Sequence, residues 1–152
     1  MTLIREIVAS DLDAICDHRN RMFLEAGRPQ SDVQAMSAPF RAWLIPRLAD
    51  GRYFGFMAEA GGRIVGGVGL MELDWPPHPA HPDDDRRGYV LNVFVEPDFR
   101  RQKMAQALME AAESEFRSRK LRYLILHATK QGGPLYEGMG WQTTSEMSKQ
   151  LE

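Results

Sequence analysis

Apolar and polar positions change period several times along the chain, and each period predicts an element. Residues 3–8 read as a short β-strand, after which Ser10 stands as the N-cap of a helix over about 11–26 that Gly27 closes. Leu12, Ile15, Arg19, Met22 and Phe23 fall on or near one stripe of that helix. From Gly27 to Ser37 the composition is that of a loop, opening with Gly27, Pro29, Gln30, Ser31 and Asp32. A second helix is expected over 38–49, with Phe40, Trp43, Leu44 and Leu48 on its apolar face and a kink at Pro46. The region reads as a mobile lid over a substrate.

Tyr53–Ala60 and Arg63–Leu73 are β-rich runs joined by Gly61-Gly62, two residues that accept positive φ and so predict a hairpin. Gly66, Gly67 and Gly69 inside the second run predict a bulge or a close backbone approach. Residues 74–87 carry Pro76, Pro77, Pro79 and Pro82 ahead of Asp83, Asp84 and Asp85, which predicts a long surface loop. A strand over Tyr89–Val95 stops at Pro97, and a helix follows from about Gln102 to Arg119 with Met104, Ala105, Leu108, Ala112 and Phe116 on one face. Tyr123–Ala128 is almost wholly apolar and reads as a central strand. A short helix over Pro134–Met139 and a last strand over Trp141–Leu151 complete the pattern.

A length of 152 residues suits one domain spanning 1–152. With 43% hydrophobic and 26% charged residues, the chain belongs with folded globular proteins rather than disordered ones. The net charge of −2 lacks the broad basic footprint of a nucleic-acid binder. No run approaches the roughly 18 apolar residues of a membrane span, and the N-terminus does not read as a secretory signal. A single cysteine, Cys16, leaves no internal disulfide, so a cytoplasmic setting is expected.

The chemistry concentrates in Val93-Phe94-Val95-Glu96-Pro97-Asp98-Phe99-Arg100-Arg101-Gln102-Lys103-Met104-Ala105. A strand ends, a basic turn follows and a helix begins, which aims unpaired N–H groups and the positive end of a helix dipole at one place. Arg100, Arg101 and Lys103 add charge there, so a phosphorylated ligand is expected. Gly67-Val68-Gly69 lacks both the spacing and the context of a dinucleotide fingerprint. His78 and His81 beside Asp83–Asp85 sit in a proline-broken loop without a scaffold, so no metal site is expected. His127, on a buried strand, reads as structural, as do His18 and Cys16.

The stretch resembles the coenzyme A segment of the GNAT superfamily of N-acetyltransferases, whose pattern is Arg or Gln, two residues, Gly, one residue, then Gly or Ala. Here it reads Arg100, Arg101-Gln102, Lys103, Met104, Ala105, with lysine where the family usually has glycine. A second resemblance lies in residues 126–141, where Thr129 stands at the family's Asn position, Tyr136 matches its Tyr, and Gly140-Trp141 replaces Gly-Phe. The resemblance implies an α/β (α+β) fold, a mixed and mostly antiparallel sheet of about six to seven strands flanked by about four helices. It implies acetyl-CoA (coenzyme A) bound by Val93, Phe94, Val95, Arg100, Arg101, Gln102, Lys103, Met104, Ala105, Thr129 and Tyr136. It also implies a small-molecule or peptide amine as acceptor and Tyr136 as the acid for the departing thiolate.

For the base, the candidates are Glu72 and Asp74 at the end of a strand, or a water chain past Asn92 and Tyr89. The rival reading is a non-catalytic acyl-CoA-binding module, motivated by Lys103 and Thr129. A doubly wound nucleotide domain is disfavoured by the hairpin, since hairpins join antiparallel strands. The terminal strand is a candidate surface for a homodimer.

Overall fold

The computed structural model describes residues 2–152. Strand β1 (Thr2–Glu6) passes through a 3-10 turn at Ala9–Asp11 into helix α1 (Leu12–Glu25). Asp11, rather than Ser10, organises the entry: its carboxylate accepts the Val8 N–H at 2.8 Å and two guanidinium bonds of 2.9 Å from Arg5. Helix α2 (Gln30–Asp50) begins well before residue 38 and absorbs both Pro39 and Pro46. The predicted loop at 30–37 is therefore helical. Pro29 fixes an extended residue ahead of the helix, and polar Gln30, Ser31 and Asp32 form its first turn, where free N–H groups are normal and an acid complements the dipole. Val33, Phe40 and Leu44 are the buried residues of that helix.

Strands β2 (Phe54–Ala60) and β3 (Arg63–Asp74) form the expected hairpin, with Gly61 at φ 58° and Gly62 at φ 77°, the two positive values that a tight primed turn needs. Strand β4 (Arg86–Val95) returns antiparallel to β3. After a 3-10 turn at Pro97–Phe99 come helix α3 (Met104–Ser118), strand β5 (Leu124–Leu126) and helix α4 (Gly133–Gly138). The sheet order is β1-β2-β3-β4-β5, antiparallel except for the parallel β4·β5 pair, which α3 connects.

The mixed, mostly antiparallel architecture is as expected, with two corrections. The sheet has five strands, because residues 141–152 form none: Gln142–Gln150 is largely polar and offers no alternating apolar face. β5 is short and lies at the sheet edge rather than in its centre.

One core lies between the sheet and α3, where Leu108, Met109, Ala112 and Phe116 are fully buried against Val65, Leu70 and Val90. The second lies between the sheet and α1 and α2, built on Ile15, Phe40, Leu44, Tyr53 and Met57. Gly88 is needed beneath α3, since a Cβ there would come within 2.5 Å of Leu124 and 2.9 Å of Phe116. Among the described residues no helix is long and apolar enough to cross a membrane.

Candidate functional site

Strand β4 runs to Val95, but β5 pairs only with Gly88, Tyr89 and Val90. Beyond Val90 the β5-facing edge of β4 is therefore left without a ladder partner. The cause is an extra residue in β4. Gly69 faces Leu91 and Gly67 faces Phe94, so three steps on β4 oppose two on β3, and Asn92 takes up the difference at φ 55°. Such a bulge bends its strand and ends pairing locally. The β3 glycines make room on the other side: a Cβ on Gly69 would stand 2.0 Å from the Tyr53 hydroxyl, and one on Gly66 would stand 2.9 Å from the Phe94 carbonyl.

The turn after β4 leads from Arg100 in extended conformation through Arg101 at φ 62° and Lys103 at φ 62° into α3. The N–H groups of residues 101–106 donate to no acceptor among the described residues, and no side chain caps the helix. Left-handed residues alternating with ordinary ones turn successive amides toward one concavity, which favours an anion. A pyrophosphate fits this chemistry: many donors, no acceptor and a helix dipole behind them. Lys103 supplies the left-handed conformation that glycine would adopt freely, at a strain of about 1–2 kcal/mol.

The basic side chains divide. Arg100 donates Nε to the Val95 carbonyl at 2.8 Å and Nη2 to the two Glu25 oxygens at 3.0 and 2.8 Å, so it clamps α1 to the turn. Gln102 donates to the Asp98 carbonyl at 3.3 Å. The Arg101 and Lys103 side chains are exposed and pair with no described carboxylate. Phe94 is buried beneath the His18 ring, centroids 4.7 Å apart, while Val95 and Met104 sit in the α3 core and Val93 and Ala105 pack at its border.

Thr129 closes the turn ahead of α4: its hydroxyl accepts the Gly132 N–H at 3.2 Å, and its carbonyl accepts those of Gly132 and Gly133. Tyr136 is buried edge-on to Trp141, and its phenol bonds to no described group. Burial raises the Tyr136 pKa above its ordinary value.

Glu72 and Asp74 lie elsewhere. Glu72 faces Gly88 across the ladder, about 23 Å along β4 from Val95 at the usual rise per residue. One of its oxygens accepts Arg86 at 2.6 Å and the other Arg119 at 3.4 Å. Asp74 faces Arg86 at the exposed strand end.

On the α1–α2 face of the bulge the structure gathers residues that the motifs did not mark. Asn92 Oδ1 accepts Arg19 Nη1 at 2.7 Å, and Asn92 Nδ2 donates to the Tyr53 hydroxyl at 2.9 Å. The Tyr89 hydroxyl meets His127 Nδ1 at 2.9 Å, and His127 Nε2 meets Glu146. Tyr89 and His127 stand one residue to either side of the last β4·β5 pair, Val90 with Leu126. Burial raises the pKa of both Tyr53 and Tyr89. The sequence marks part of this group, Asn92 and Tyr89 as a candidate water path and a lone arginine on the apolar stripe of α1; nothing in it points to Glu146. Asp17, His18 and Glu96 also bring ligand atoms within 4.8 Å of one another, but Arg21 already bonds both carboxylates, at 3.2 Å to Asp17 and at 2.7 and 2.6 Å to Glu96, which opposes a cation there.

The chain is similar to a GCN5-related N-acetyltransferase from Ralstonia eutropha JMP134, with 50% identity over 99% of both chains and a TM-score of 0.98. It shares its fold with a predicted acetyltransferase with acetyl-CoA from Clostridium acetobutylicum, at 24% identity over 99% and 96% of the two chains and a TM-score of 0.88. It also shares it with glucosamine-6-phosphate N-acetyltransferase from Arabidopsis thaliana, at 16% identity over 100% and 99% of the chains and a TM-score of 0.68. No curated protein matches the chain. The profile of the Acetyltransferase (GNAT) family matches residues 12–141, and the chain belongs to that family.

Proposed function

We propose that this chain moves the acetyl group of acetyl-coenzyme A to a primary amine of a small molecule or peptide by direct attack. The observation that carries the reading is the run of unpartnered amides at 101–106, placed where β4 parts from β5. The 50% identical N-acetyltransferase and the fold neighbour solved with acetyl-CoA support it.

Acetyl-coenzyme A supplies an activated thioester; the rest falls to this chain. The 101–106 amides hold the pyrophosphate, with the Arg101 and Lys103 side chains adding charge. The unpaired β5-facing edge of β4 beyond Val90 orients the pantetheine arm and offers N–H donors to the thioester oxygen, whose negative charge grows during attack. Tyr136 keeps its phenolic proton because burial disfavours the phenolate, and it gives that proton to the departing sulfur. Thr129 sets the start of α4 and so positions Tyr136.

The attacking amine must lose a proton. Glu72 is held between two guanidiniums away from the opening, so the path we assign is Tyr89 to His127 to Glu146, which leads from the α1–α2 face to solvent. The test is thiol release from acetyl-coenzyme A with a panel of amines and peptides. Release that requires an amine is expected. Coenzyme A binding without turnover on any amine would favour the non-catalytic module.

A further inference from the structure

The extra residue of β4 falls on Asn92, and two other elements hold the two ends of its side chain. Asn92 is buried at φ 55°, in the left-handed region that strains a residue with a Cβ and that asparagine tolerates better than most. Its Oδ1 accepts Arg19 Nη1 from α1 at 2.7 Å, and its Nδ2 donates to the Tyr53 hydroxyl, just ahead of β2, at 2.9 Å. Tyr53 is itself fixed: it is buried edge-on to Trp43, centroids 6.3 Å apart, and its hydroxyl fills the space above Gly69.

Arg19 is held in this network against its own solvation. It is half-buried, its guanidinium carbon 4.9 Å from the Phe23 ring and 4.5 Å from the Phe40 ring, and its Nε is enclosed by protein without an acceptor. An enclosed N–H without a partner is destabilising, and drawing a cation out of water without an anion adds to that. Burial accordingly lowers the Arg19 pKa, and the ionisable groups beside it are Tyr53 and Tyr89 rather than a carboxylate. Arg87 provides the contrast. More deeply buried, it fills the space between Trp75 and Tyr123 at 4.2 and 4.4 Å and donates Nε to His81 at 3.0 Å, so packing accounts for it. Packing does not account for Arg19, whose one hydrogen bond among the described residues goes to Asn92.

We infer that Arg19 is a positioning residue for acetyl transfer. With Tyr53 as the opposing anchor, it holds Asn92 in its left-handed conformation and keeps the extra residue at that one place in β4. The unpaired N–H donors that follow are thereby fixed in direction toward the thioester oxygen. A bulge held by backbone alone can move along its strand, and a one-residue slip turns the residues it passes to the other face. The side-chain clamp stops that slip. This rests on the acetyl-transfer reading above, and Arg19 acts through Asn92 without touching the reacting atoms.

The test uses the full chain and acetyl-coenzyme A labelled at the acetyl carbonyl carbon, followed by infrared spectroscopy. In the wild type, hydrogen bonds to the thioester oxygen should lower the carbonyl stretch below its value in free solution. In Arg19→Met the band is expected to return toward the free value and kcat to fall about tenfold. The calorimetric Kd of coenzyme A should stay within about twofold, because the 101–106 amides lie beyond the bulge. Arg19→Lys can still donate to Oδ1 and should recover part of both losses. Arg19→Met combined with Asn92→Gly should lose no more than the worse single variant, as members of one unit do. Tyr53→Phe removes a single oxygen, keeps the packing and should move the band the same way, so the prediction stands even where Arg19→Met unfolds. Arg87→Met, which removes a more deeply buried arginine at the start of β4, should lower Tm and leave the band in place. An unmoved band in Arg19→Met or in Tyr53→Phe, additive losses in the double variant, or an equal movement in Arg87→Met would overturn the inference. A band that moves as expected in a protein that turns over no amine would instead remove the acetyl-transfer reading and leave the clamp.

Discussion

Arg21 on α1 meets Glu96, the residue that follows β4, through two hydrogen bonds of 2.7 and 2.6 Å. With the Arg100–Glu25 pair this fastens α1 to the strand end and sets the width of the cleft between helix and sheet. The Arg21 guanidinium holds the Glu96 carboxyl below its ordinary pKa. A carboxyl depressed in the folded state adds stability above its unfolded pKa of about 4.3 and loses it as pH falls through the lower folded value. Glu96→Gln is expected to cost about 1 kcal/mol at neutral pH, allowing for solvent screening at the partly exposed Arg21. Denaturant unfolding across pH should show the gap between wild type and variant closing on acidification; a gap independent of pH would contradict the assignment.

Lys103 occupies the left-handed region at φ 62° where glycine is freely accommodated. Lys103→Gly removes the strain but frees the unfolded chain, so the net gain should be no more than about 1 kcal/mol. Thermal unfolding reads this as a Tm increase of a few degrees, whereas Lys103→Ala should show none. A destabilised glycine variant would contradict the left-handed turn.

Gly69 lies against the Tyr53 hydroxyl, with a prospective Cβ contact of 2.0 Å. Gly69→Ala should displace Tyr53, break its bond to Asn92 and cost about 1–3 kcal/mol by overpacking. The same variant should weaken acceptor use more than coenzyme A binding, because the damage falls on the α1–α2 face. Comparing acceptor KM with the calorimetric coenzyme A Kd checks this.

Tyr136 and His127 are assigned to opposite ends of the proton inventory, and the two should be separable. Tyr136→Phe is expected to lower kcat about a hundredfold with coenzyme A affinity retained. His127→Asn is expected to lower the rate about tenfold near neutral pH, with the deficit shrinking as the pH rises and the amine deprotonates unaided. Equal deficits at every pH in both variants would remove the distinction.

The elements with strong local signals were legible in the sequence. Gly61-Gly62 predicts its hairpin through backbone freedom alone, and the order of Val95, Pro97, Arg100 and Ala105 locates the strand end, the turn and the helix start that follow one another there. What escaped depended on tertiary structure. Gln30–Asp32 have the composition of a loop and also of a first helical turn, and only burial of Val33 and Phe40 decides between them. The glycines of β3 announced an irregularity, but its location at Asn92 on the neighbouring strand depends on the pairing register. Glu72 reads as a candidate base until Arg86 and Arg119 are brought to it by β4 and α3. The partnership of His127 with Glu146 joins β5 to the terminal segment across 19 positions, which no local pattern reveals.

The central claim is that the amides following β4 receive the pyrophosphate of coenzyme A, and backbone amide chemical shifts during a coenzyme A titration test it most directly. The account predicts large, saturable shifts at Arg101 through Gln106, absent when pantetheine alone is added. Binding of coenzyme A that leaves those amides unmoved would contradict it.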